Sequence, residues 1–104
     1  MRSRPHDVAM ADFFQQDPAF ALDLLNSILA DGNQDDLLIA LRQMAMAFGG
    51  VRAVAELAEL NPTQLYRTLS ADGNPSLSSL TAILRTMGLR IVVEPIEDAP
   101  AARA

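Results

Sequence analysis

Cysteine is absent, histidine occurs once, and none of the eight basic residues is a lysine. Without cysteine there is no disulfide framework and no thiolate metal site, which suits a reducing, cytoplasmic setting. One histidine and no cysteine also leave no metal-ligand spacing and no nucleophile–base pair. There is no glycine-rich phosphate loop either, so an enzyme and a bound cofactor are not expected. No apolar run approaches the roughly 18 residues of a membrane span, and the N-terminus lacks a hydrophobic signal core. Aromatics are few, four phenylalanines and one tyrosine. The formal charge of −5 argues against non-specific coating of nucleic acid.

What is present is 104 residues with 50% hydrophobic content, enough for one domain with a modest core. Charge is segregated along it. Residues 11–50 carry six aspartates against Arg42 alone, whereas residues 51–90 carry four arginines against three acidic groups. An acidic half joined to a mildly basic half suggests two surfaces with different partners; plain solubility is the blander reading.

The chain is organised around Gly50–Ser70. Val51, Val54, Ala55 and Ala58 fall at the spacing of one buried helical face. Leu60 closes a turn, Asn61 offers an N-cap and Pro62 takes the first helical position. A second short helix buries Leu65 and Leu69 and leaves Thr63, Gln64, Tyr66 and Arg67 outward. This is the layout of a DNA-binding helix-turn-helix over residues 50–70. Thr63, Gln64 and Arg67 are the candidates for base edges, since glutamine pairs with adenine and arginine with guanine. Arg52, Asn74 and Ser76 are candidate backbone clamps or caps. Asn61 caps its helix, and Tyr66 either touches a phosphate or packs on the neighbouring helix.

The remaining elements serve this unit. Residues 1–12 lack sustained periodicity and read as a mobile arm, ahead of a single helical domain over residues 13–95. A helix starts at Asp17-Pro18 and buries Ala21, Leu24, Leu25, Ile28 and Leu29, with Phe13, Phe14 and Phe20 near its start. It ends at Asp31-Gly32-Asn33. A second spans about Gln34–Phe48 with an apolar stripe from Leu37 to Phe48, and Gly49-Gly50 breaks it. After a turn at residues 71–75, Ser76 caps a helix over about Leu77–Met87, which Gly88 ends. Residues 89–94 then form a β-rich run closed by Pro95, with Leu89, Ile91 and Val93 on one face. Residues 96–104 read as a disordered tail.

A lone strand leaves its backbone groups unpaired. It can pair with its own copy or join the sheet of another protein. Self-pairing sets two reading heads roughly 34 Å apart, as an inverted-repeat operator requires. The expectation is a homodimer through Leu89, Ile91 and Val93, with a helix-mediated dimer as the competitor.

The run from Leu65 to Pro95, LYRTLSADGNPSLSSLTAILRTMGLRIVVEP, resembles the C-terminal half of the addiction-module antidote proteins. The D-F-F segment, the D-G-N turn and the G-G junction extend the likeness over about residues 12–95. That resemblance implies a HigA-like antitoxin with a lambda-repressor-like helix-turn-helix. The fold expected is mainly α, about five helices and one short C-terminal β-strand. The function implied is to bind double-stranded operator DNA, repress the shared operon and neutralise a RelE/ParE-superfamily toxin. A stand-alone prophage-type regulator without a toxin is the alternative. The chain departs from many such units at Glu59, where glycine often precedes the apolar turn residue; glutamate there is costly only if φ is positive.

Overall fold

Leu38, Leu41, Met44 and Ala45 recur along one helix and are almost wholly buried, so the rest of the chain is wrapped around that helix. The computed structural model describes residues 4–96. Within them are six helices: α1 (Arg4–Gln16), α2 (Pro18–Asp31), the central α3 (Gln34–Ala47), α4 (Val51–Ala58), α5 (Pro62–Thr68) and α6 (Leu77–Thr86). The fold is mainly helical. No single helix is long and apolar enough to cross a membrane.

Helix starts are set locally. The Asp17 carboxylate accepts from the Phe20 N–H at 3.1 Å with Pro18 leading α2. The Asn33 amide oxygen accepts from Asp36 N–H at 2.9 Å at the head of α3. Ser76 Oγ accepts from Ser79 N–H at 3.1 Å at the head of α6. Each satisfies an N–H that a helix start leaves without a partner.

Three helices end in the same way. At the ends of α3, α4 and α6 a residue of positive φ is followed by an N–H that reaches back five residues. The bonds are Gly50 to Ala45 at 2.8 Å, Leu60 to Ala55 at 2.8 Å and Leu89 to Leu84 at 2.9 Å. This Schellman geometry requires a left-handed residue. Gly49 and Gly88 supply it twice, at φ 102° and 77°, and Glu59 supplies it the third time, at φ 59° and ψ 41°. Glu59 is the one non-glycine residue of positive φ among those described. The Gly49-Gly50 turn redirects the chain so that α4 runs at 88° to α3.

Helices α1 and α2 pack on α3, while α4 carries both α5 and α6. Phe14, Leu25, Val54, Leu65, Leu69 and Ile83 join the α3 stripe in one continuous core. Phe13 and Phe14 lie against Phe20 at the α1–α2 corner, with ring centroids 4.6 and 6.1 Å away.

Two expectations are corrected here. The sixth helix is α1, where the sequence reading placed no element before residue 13. Among its residues from Pro5 onward, only Ala11 and Phe14 are buried, too few to give a helical period. Polar links add to that packing: Gln43 Nε2 donates to Asp7 Oδ1 at 3.0 Å, and Gln15 Nε2 donates to the Ala47 carbonyl at 2.7 Å. The expected strand over residues 89–94 is not formed. Leu89 is half-buried against the core, but residues 90–96 are exposed. Among the described residues their backbone groups bond to no other part of the chain. A segment becomes a strand only by pairing with another, and among the described residues this one has no neighbouring edge. Residues 1–3 of the expected arm, Arg2 among them, and all of the expected tail except Ile96 lie outside the described residues.

Candidate nucleic-acid interface

Leu65 and Leu69 are buried to 2% and 0% exposure, and their four-residue spacing fixes the orientation of α5. Thr63, Gln64, Tyr66 and Arg67 therefore emerge on its outer side, and all four are exposed. Thr63, Gln64 and Arg67 share one face, so three groups able to meet base edges project from one rigid turn and a half of helix. Tyr66 is 58% exposed and borders the recess beside Gly50, Val51 and Arg42.

The approach to α5 is built to hold that face in place. Asn61 Oδ1 accepts from Gln64 N–H at 3.0 Å, and the Asn61 carbonyl accepts from Leu65 N–H at 2.9 Å. The Asn61 side chain thus works as a cap. At the far end the guanidinium of Arg42, half-buried on α3, donates to the Leu69 carbonyl. A cation donating to a helix's last carbonyls satisfies an acceptor and suits the helix dipole. The Ser70 hydroxyl donates to the Arg67 carbonyl at 2.7 Å.

The loop after α5 is equally constrained. A Cβ on Gly73 would lie 1.7 Å from the Thr68 carbonyl oxygen, so only glycine fits where the loop crosses back over α5. Gln34 Nε2 reaches the Gly73 carbonyl and Asn74 Oδ1, both at 3.4 Å. Ser76 caps α6 and shares its hydroxyl with Ser78 and Ser79 at 3.1 and 3.0 Å.

Arg52, on α4, pairs with Glu56 at 3.6 Å, the one ion pair among the described residues. Both side chains are well exposed, and such a pair contributes little. Its guanidinium can change partners at small cost. The structure therefore brings Thr63, Gln64 and Arg67 to one face, while Arg52, Asn74 and Ser76 lie on other elements. Of the three residues assigned to the dimer strand, Leu89 packs on its own chain, whereas Ile91 and Val93 are 40% and 95% exposed.

Sequence reasoning missed Arg42, Gln43 and Gly73. The available signal was chemical mismatch: Arg42 and Gln43 are polar residues inside the apolar stripe of α3, between Leu41 and Met44. Among the described residues no group of histidine, aspartate or glutamate side chains is arranged to hold a metal ion.

The family model described as "probable addiction module antidote protein" matches residues 5–95. The chain belongs to this antidote family. The match runs from the second residue of α1 through Pro95, so it takes in all six helices except Arg4. No curated protein and no solved structure gives a match. Membership makes this chain an antidote, and an antidote implies a cognate toxin as its partner. The exposed aspartates of its N-terminal half, Asp12, Asp23, Asp31, Asp35 and Asp36, lie on α1, α2 and α3, on elements separate from α5.

Proposed function

We propose that this antidote reads operator DNA with α4 and α5, used as a helix-turn-helix of the lambda-repressor type, and so represses its own operon. The observation that carries the reading is the outer face of α5. It presents Thr63, Gln64 and Arg67 to solvent, is anchored underneath by Leu65 and Leu69, and is fixed at both ends by Asn61 and Arg42. A recognition helix needs that combination, because base contacts discriminate only when their backbone is held in register. Arg52, Asn74 and Ser76 contact phosphates, and two copies of the chain read the two halves of an inverted repeat.

The same molecule neutralises a toxin of the RelE/ParE superfamily. A toxin of ribonuclease type must itself hold RNA and so presents a basic surface, which the aspartates of α1–α3 complement. The antidote acts in the cytoplasm, without catalysis of its own.

The test is to express the small open reading frame adjacent to this gene with and without the antidote. The purified antidote is also titrated against the DNA upstream of the pair. Growth arrest relieved by the antidote, together with binding of that DNA, is the expected result. DNA binding without relief of arrest would make the chain a stand-alone regulator; relief without DNA binding would remove the operator reading.

A further inference from the structure

The segment Arg90–Ile96 has unengaged backbone groups on an exposed run outside any helix or turn, and its charges have a symmetry of their own. Arg90 and Glu94 flank Ile91-Val92-Val93, and neither forms an ion pair among the described residues. Resting on the homodimer reading above, we propose that two copies pair this segment antiparallel with Val92 on the two-fold axis. Arg90 then faces the partner's Glu94 and Glu94 faces the partner's Arg90.

Antiparallel pairing of identical strands about a two-fold makes each contact reciprocal. With Val92 opposite its own copy, Ile91 faces the partner's Val93, and both charged ends find opposite charge. Centring on Ile91 instead sets Arg90 against the partner's Val92 and Glu94 against the partner's Gly88. Centring on Val93 sets Arg90 against the partner's Ile96. The Val92 register alone matches both charges.

The backbone agrees with this register. If Val92 forms a hydrogen-bonded pair, so do the two Arg90–Glu94 pairs, giving about six interchain backbone bonds. Pro95, which has no N–H, then falls at a position where the ladder asks for none. Residues 90, 92 and 94 lie on one face of the ribbon. Ile91 and Val93 lie on the other, and the segment as a whole borders one recess with the exposed Leu22 and Leu29 of α2.

The chain has no cysteine, so single cysteines report the register cleanly. Under mild oxidation Val92→Cys is expected to form a disulfide-linked dimer within minutes, the Cα separation of about 5.5 Å lying in the bonding range. Val93→Cys alone is expected to stay largely unlinked although Val93 is 95% exposed, which controls for chance collision. Mixing Ile91→Cys with Val93→Cys is expected to link the two chains to each other. By sedimentation, Arg90→Glu or Glu94→Arg is expected to weaken dimerisation about 10- to 30-fold, and the double exchange to return it to within about threefold. A native dimer that links faster through Val93→Cys, or that the double exchange fails to restore, overturns the register and leaves the dimer standing. A chain that stays monomeric up to millimolar concentration overturns both.

Discussion

Replacing Glu59 by glycine is expected to stabilise the protein. Glu59 sits at φ 59°, ψ 41°, because the bonds Glu59 N–H to Glu56 and Leu60 N–H to Ala55 close the end of α4 only in the left-handed region. An L-residue other than glycine is less stable there by about 1–2 kcal/mol. The carboxylate also lies at a helix C-terminus, where negative charge is unfavourable by about 0.3 kcal/mol at an exposed site. Glycine removes both terms but adds about 0.5–1 kcal/mol of backbone entropy to the unfolded chain. The net gain is about 0.5–1 kcal/mol, a rise in Tm of about 3–6 °C for a domain of this size. Thermal and urea unfolding followed by circular dichroism, at one fixed protein concentration, measure it. Glu59→Gln separates charge from strain, since it keeps the side chain's bulk and loses only the charge; its expected gain is a few tenths of a kcal/mol. If Glu59→Gly proves no more stable than Glu59→Gln, the left-handed turn between α4 and α5 is wrong.

Two further substitutions probe the frame around α5. Gly73→Ala drives a methyl group against the Thr68 backbone, and the loop must move; a loss of about 2–4 kcal/mol in urea unfolding is expected, with stability unchanged contradicting the close approach. Arg42→Met keeps much of the side-chain volume but leaves the Leu69 carbonyl without its donor. It is expected to lower stability by about 1–2 kcal/mol, and a change below 0.3 kcal/mol, about the error of such a measurement, would mean that water replaces the guanidinium without loss.

Most helices of this protein are written locally, in caps and in periodicity. Asn61-Pro62 and Ser76 stand one residue or less from where α5 and α6 begin, and the Leu65–Leu69 spacing alone dictates which side of α5 faces outward. The sequence is less informative wherever a contact joins residues far apart in the chain. Helix α1 is held through Gln43 and Gln15 to partners more than 30 residues away, and polar links leave no hydrophobic period to read. The Arg42–Leu69 bond, across 27 residues, is hidden for the same reason. Residues 89–94 show the opposite failure: their composition is that of a strand, but pairing depends on a second edge that one chain does not contain.

The operator reading rests on the outer face of α5, and its most direct test is a fluorescence-anisotropy titration of the antidote's own upstream duplex with the native chain, Gln64→Ala and Arg67→Ala. A scrambled duplex gives the non-specific baseline. Each variant is expected to bind the operator about 5- to 100-fold more weakly while its affinity for the scrambled duplex changes little, because a bidentate base contact contributes about 1–3 kcal/mol of discrimination. Operator affinities of both variants within a factor of about two of the native chain, well below that expected loss, would contradict the assignment of α5 as the reading helix.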